Sequence, residues 1–103
     1  MKSLNALNSG HISVIGKGNT LTGDVESSSN GAVNLEATSG SNSLVNVKAN
    51  ANGNVSATAS GENIASGNIT AEGNGAQINL NAPSNELGNV SALQKGVVNA
   101  TVT

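Results

Sequence analysis

This sequence lacks several residue types on which most compact folds and binding sites depend. It has no Phe, Trp or Tyr, no Cys and no Arg, and only 10% of its residues are charged. Four lysines without aromatic rings do not make the cationic, stacking surface of a nucleic-acid binder. The absence of cysteine excludes disulfides and thiolate metal sites. No apolar run is long enough to cross a bilayer, so we expect no membrane association from this chain alone.

Asparagine, serine, glycine and alanine make up more than half of the chain, and they recur with a fixed period. Three Asn-Gly steps begin at Asn30, Asn52 and Asn74, so the two intervals between them are equal. A short segment of one kind precedes each step, at 24–27, 46–49 and 68–71, and a fourth copy lies at 89–92. Self-similarity with a period of roughly 22 residues is typical of stacked structural units.

Apolar and polar residues alternate after each Asn-Gly step or its equivalent, which is the period of a half-buried β-strand. These segments lie at 12–14, 33–37, 55–59, 78–82 and 98–102. A unit of this size cannot bury its apolar face alone, but it can when it coils into a rung and stacks on the next. The sequence therefore predicts an all-β, single-stranded β-solenoid (β-helix) of about four to five rungs with roughly 22 residues per rung.

We expect one solenoid domain over residues 1–103, with residues 1–10 as a weak N-terminal cap or partial rung. Two alternatives are a disordered chain and a small β-sandwich, whose strands would recur at intervals of roughly 8–12 residues. A sandwich does not account for the return of the same residue types at the full period of the Asn-Gly steps.

A narrow core of stacked aliphatic side chains also accounts for the missing rings, because a ring would disturb its neighbours above and below. A third apolar position recurs less regularly between these strand segments, at Leu21, Leu44 or Val45, Ile64 and Leu87. The predicted core residues are Val14, Val25, Val33, Leu35, Val47, Val55, Ile69, Ile78, Leu80, Val90 and Val98.

Two sets of polar residues recur in equivalent positions. Asn30, Asn52 and Asn74 would form a ladder of side-chain amides along the stack. Alternatively, they serve only the backbone of the turn, for which Asn-Gly is the strongest short signal. The second set is expected at a corner, with a structural role; it comprises Asp24, Asn46, Asn68 and Asn89.

Catalysis finds little support in the sequence. The strand period places Glu26 and Glu36 on outward faces, and no two acids converge as a general acid and base must. His11 is the only histidine, so a histidine metal cluster is excluded. We therefore predict a protein that is not an enzyme, with no cofactor, no metal and no small-molecule substrate.

The stretch from Ile12 to Ser27, ISVIGKGNTLTGDVES, resembles the opening of bactofilin domains, a polymer-forming bacterial cytoskeletal family. Its Ile-Gly-x-Gly segment is followed by a Gly-Asp-Val corner at 23–25, and Gly-Asn-Val or Gly-Asn-Ile corners recur at 53–55, 67–69 and 88–90. The resemblance implies a nucleotide-independent filament, built by end-to-end stacking of solenoids in the bacterial cytoplasm.

The ends of a solenoid also favour stacking, because they expose unpaired strand edges unless something covers them. The sequence stops inside a predicted strand, and at the other end only Leu4 and Leu7 could form a cap. We predict self-assembly through Leu4, Leu7, Val98, Ala100 and Val102. The alternative function is a binding or spacer segment of a secreted adhesin or phage fibre, which would place the chain outside the cell or on a virion surface.

Overall fold

The computed structural model describes residues 4–6 and 8–102, which form β-strands joined by short turns. Every strand pair in this part of the chain is parallel. The strands are β1 (Leu4–Ala6), β2 (His11–Gly16), β3 (Asn19–Thr20), β4 (Asp24–Ser27), β5 (Ala32–Ala37), β6 (Asn42–Leu44), β7 (Asn46–Asn50), β8 (Asn54–Ala59), β9 (Glu62–Glu72), β10 (Gln77–Ala82), β11 (Ser84–Leu93) and β12 (Val97–Val102).

The strands stack as the rungs of a solenoid. One sheet contains β2, β5, β8, β10 and β12 in that order. The other sheet has two adjacent columns, because β9 turns a corner and pairs with β6 through one end and with β7 through the other. Val25 pairs with Val47, and Val47 pairs with Ile69, so that each step to the next rung advances the chain by about 22 residues. The predicted β-solenoid is confirmed, with about four turns.

The first column consists of β1, β4, β7, β9 and β11, and the second column of β2, β5, β8, β10 and β12. In each rung a tight turn with left-handed backbone leads from the first column into the second. Ser29 and Asn30 have φ angles of 52° and 69°, and Ala51 and Asn52 repeat them with 47° and 69°. Asparagine tolerates this conformation better than most residues. The glycine that follows is required by packing, because a Cβ on Gly53 would collide with the Ser27 carbonyl oxygen of the rung below.

The core runs along the centre of the rod and consists of aliphatic side chains that point inward from all three columns. Most predicted core residues are fully buried: Val25, Val33, Leu35, Val47, Val55, Ile69, Ile78 and Leu80. Val14 and Val98 are partly buried and pack against this cluster from its two ends. Val90 differs from the prediction, since it is 48% exposed. It pairs with buried Ile69, but no described rung covers its other side.

The third apolar position of each repeat recurs more regularly in the structure than the sequence suggests. Leu21 and Leu44 are buried, and Leu44 pairs with Ala65, which in turn pairs with Leu87. Ile64, the expected member of this series, lies one residue before Ala65 and is only half-buried. Because successive side chains of a strand point to opposite faces, the inward position belongs to Ala65.

Candidate functional site: rod ends and asparagine columns

The C-terminal end of the rod exposes an inward-pointing apolar surface. Val98, Ala100 and Val102 of β12 pair with Ile78, Leu80 and Ala82 of β10, all three of which are buried. Val102 is nevertheless 69% exposed and Ala100 is exposed, since no described strand lies over them. The exposed Val90 of β11 belongs to the same surface. We call Val90, Val98, Ala100 and Val102 the C-terminal end surface.

The N-terminal end exposes less apolar area. Ile12 and Val14 of β2 pair with the buried Val33 and Leu35, and both are partly buried. Leu4, expected at an assembling end, is only 9% exposed and belongs to the core, because it lies in the inward column beside Val25. Leu7, the other predicted end residue, lies outside the described residues. We call Ile12 and Val14 the N-terminal end surface.

Both end surfaces border open strand edges. β2 and β12 are the outermost strands of their sheet, so each has a neighbour on one side only in the described chain. The outer edge of such a strand presents N–H and C=O groups that another strand can pair with. Apolar side chains and unpaired backbone groups therefore lie together at each end of the rod.

The Asn-Gly steps do not form the ladder of amides that one prediction proposed. Asn30 and Asn52 occupy equivalent turn positions, as their identical φ angles of 69° show. Asn74 is displaced by one position, because the third turn contains the additional Gly73 and gives the left-handed position to Gly75, at φ 74°. No side-chain hydrogen bond joins these three asparagines within the described chain, so their observed contribution is to the turn backbone.

The second predicted set lies at a corner on the outside of the rod and is linked by hydrogen bonds. Asn46 Nδ2 donates to Asp24 Oδ1 at 2.9 Å, and the Asn68 backbone N–H donates to Asn46 Oδ1 at 2.9 Å. Asn89 Nδ2 continues the series to Asn68 Oδ1 at 3.1 Å. These bonds connect four successive rungs on the solvent side.

A third asparagine column, which the sequence-based prediction did not include, lies inside the rod. Asn19, Asn42, Asn63 and Asn85 occupy the corner after β2, β5, β8 and β10, and Asn42 and Asn63 are 0% and 1% exposed. The Nδ2 atoms of Asn19, Asn42 and Asn63 each donate to the Oδ1 of the next asparagine, at 2.9, 2.9 and 3.0 Å along the column. Each also donates to a strand carbonyl oxygen, as Asn42 does to Thr58 O at 3.0 Å.

With this inner column in place, every buried side-chain polar atom of the described residues has a hydrogen-bond partner. Buried amides without partners would be strongly destabilising, whereas a chain of satisfied ones fixes the vertical alignment of the rungs. The sequence did carry a signal, because Asn19, Asn42, Asn63 and Asn85 recur with nearly the same period as the Asn-Gly steps. The more conspicuous Asn-Gly period concealed it.

The charged residues in the described part of the chain face outward. Glu26 pairs in register with Lys48, and Glu36 with Thr58, on the solvent side of their sheets. Asp24, Glu26, Lys48 and Glu72 line a shallow open groove along the first column. Within the described ranges, no three His, Cys, Asp or Glu side chains come together in a way that could hold a metal ion.

No protein-family model, curated protein or solved structure matches this chain. The resemblance to bactofilins therefore depends on the sequence motifs alone. In residues 4–6 and 8–102 no helix is long and apolar enough to span a membrane.

Proposed function

We propose that this chain is a structural protein that assembles end to end into filaments, as a bactofilin-like element of a bacterial cytoskeleton. The observation that carries the proposal is the C-terminal end surface, where inward-pointing aliphatic side chains stack on a buried core and no described strand covers them. A second copy of this chain is the partner that fits, because its own rungs continue the same columns.

Head-to-tail stacking extends the internal pairing of the rod. Placing β2 of one copy over β12 of another sets Ile12 over Val98 and Val14 over Ala100, the same register that joins β2 to β5 and β10 to β12. Within the rod, the small Ala57 lies between the larger Leu35 and Leu80. At the junction, Ala100 would likewise lie between Leu80 of its own copy and Val14 of the next copy.

The energetics support reversible assembly. Fully burying a valine or isoleucine side chain contributes about 1.5–3 kcal/mol, and each new backbone hydrogen bond contributes a net of about 1 kcal/mol. These gains oppose an association cost of about 4–15 kcal/mol. Because the two totals have the same order, we expect filament formation to depend on protein concentration, without nucleotide or metal.

The test compares charged substitutions on the inward and outward faces of the same strand. Ala100→Lys should abolish filaments seen by electron microscopy, because a charge would be buried at the junction. Thr101→Lys is the matched control: Thr101 is the next residue of β12, is exposed, and lies on the outward face. Val14→Lys and Ser13→Lys form the equivalent pair at the other end of the rod. Far-ultraviolet circular dichroism should show that all four variants retain β structure.

Mixing the two blocked variants tests the polarity. Ala100→Lys keeps a free N-terminal end and Val14→Lys keeps a free C-terminal end, so each alone should be monomeric and the mixture should form dimers in sedimentation experiments. Dimers of either variant alone would refute head-to-tail stacking but retain end-to-end assembly. An unmodified chain that stays monomeric at high concentration would refute assembly and favour a spacer segment of an adhesin or phage fibre.

A further inference from the structure

We propose that Asn74 is a self-modification site, at which the backbone nitrogen of Gly75 converts the asparagine into aspartate or isoaspartate. Asn30 and Asn52 precede glycine in the same way, but the fold protects them. The proposal depends on the geometry of the three turns and is independent of filament formation.

The chemistry needs only the chain and water. The Gly75 nitrogen attacks Cγ of Asn74, so that a new N–Cγ bond forms, the Cγ–Nδ2 bond breaks, and ammonia leaves with the proton of the glycine N–H. Water then adds to either carbonyl carbon of the cyclic imide and opens the ring. The products are aspartate and isoaspartate, and both replace a neutral amide with a carboxylate.

The first two Asn-Gly steps are held in unreactive positions. The Gly31 N–H donates to Ser28 O at 3.0 Å, and the Gly53 N–H donates to Asn50 O at 2.8 Å. Both glycines are buried, whereas Gly75 is exposed. Attack would require the hydrogen bond to break and the turn to rotate within a packed layer.

The third turn differs because of its additional residue. There the equivalent turn bond is donated by the Ala76 N–H, to Gly73 O at 3.3 Å, instead of by the glycine of the Asn-Gly step. The Gly75 N–H has no hydrogen-bond acceptor among residues 4–6 and 8–102. Asn74 and Gly75 are both exposed, so that solvent base reaches the nitrogen and water reaches the imide.

Because the fold protects two of the three Asn-Gly steps, their asparagines should react at different rates. Reaction at Gly31 or Gly53 requires an opening of the rung that breaks at least one backbone hydrogen bond, and such openings have a free-energy cost in folded proteins. The Gly75 N–H has no hydrogen bond of its own to break among the described residues. We expect Asn74 to react at least about tenfold faster than Asn30 and Asn52 in the folded chain, a ratio that corresponds to about 1.4 kcal/mol of opening free energy.

A protease that cleaves after glutamate separates the three steps for mass spectrometry. Cleavage after Glu26, Glu36, Glu62, Glu72 and Glu86 puts Asn30 on fragment 27–36, Asn52 on fragment 37–62 and Asn74 on fragment 73–86. After incubation of the folded chain in mildly alkaline buffer, fragment 73–86 should gain the mass that replaces NH₂ by OH well before the other two. In denaturant all three fragments should react at similar rates.

Two substitutions identify the reacting residue. Asn74→Gln lengthens the side chain, disfavours the five-membered ring and should remove the mass gain from fragment 73–86, whereas Asn52→Gln should leave it unchanged. A mass gain on fragment 27–36 or 37–62 as fast as that on 73–86 in the folded chain would overturn the proposal. So would a fragment 73–86 that still gains mass in Asn74→Gln, or one that is unreactive in the folded chain.

Discussion

Removal of one amide from the inner asparagine column should destabilise the rod more than any single polar substitution on its surface. Asn42 is fully buried; its Nδ2 donates to Thr58 O and Asn63 Oδ1, and its Oδ1 accepts from Asn19 Nδ2. Asn42→Ala loses three hydrogen bonds, each contributing a net of about 1 kcal/mol. It also leaves Asn63 Oδ1 buried without a donor, which costs about 1–3 kcal/mol. We therefore expect a loss of about 4–6 kcal/mol in the free energy of unfolding.

This loss is a large part of the total stability of a domain, which is about 5–15 kcal/mol. Because the chain has no aromatic residues, unfolding must be followed by far-ultraviolet circular dichroism instead of fluorescence. The midpoint of urea unfolding should fall by about 2 M or more at an unchanged slope.

Two variants make the measurement specific to the column. Ser43→Ala changes the next residue of β6, whose side chain points the other way, and should alter stability by less than about 0.5 kcal/mol. Asn85→Ala lies at the more exposed end of the column, where Asn85 donates to Thr101 O and accepts from Asn63, and should show an intermediate loss. A loss below about 1 kcal/mol in Asn42→Ala, or an equal loss in Ser43→Ala, would refute the reasoning.

Two further predictions concern packing between rungs, and both are measured by thermal unfolding. Gly53→Ala should lower the free energy of unfolding by about 1–3 kcal/mol, because its new Cβ meets the Ser27 carbonyl oxygen. In Gly73→Ala the nearest atom lies 3.5 Å from the new Cβ, so the loss should be only the left-handed strain of about 1–2 kcal/mol. A larger loss in Gly73→Ala than in Gly53→Ala would contradict this packing. Leu80→Ala should cost about 2–5 kcal/mol, since the side chain of Leu80 is fully buried. Leu93 is half-exposed, so Leu93→Ala should cost less than about 0.5 kcal/mol. Equal losses in the two variants would argue against a continuous core at Leu80.

The architecture was predictable because two independent periods agree in the sequence. The Asn-Gly spacing sets the length of a rung, and the alternation around Val33, Val55 and Ile78 sets which side chains point inward. Both follow from local chemistry, namely turn conformation and the alternation of side chains along a strand.

Other features depend on which atoms come together between distant rungs. Asn42 and Asn63 resemble surface residues in the sequence, and only the carbonyl oxygens and amides of neighbouring rungs make their burial favourable. Asn74 shares its dipeptide with Asn52, but the additional Gly73 shifts it by one position. Leu4, predicted at an assembling end, is buried, and Val90, predicted in the core, is exposed, because coverage by a neighbouring layer decides burial at the ends of the rod.

The parallel pairing of consecutive rungs has a mechanical consequence. Hydrogen bonds between β5, β8 and β10 point along the axis of the rod, so tension between its two ends acts on one layer boundary at a time instead of shearing a whole sheet. Each detached layer would release about 22 residues, the separation of paired positions such as Val25 and Val47, or roughly 70 Å of extended chain. A rod of this kind would lengthen under load in near-equal steps and would absorb work gradually, as an extensible element instead of a brittle strut.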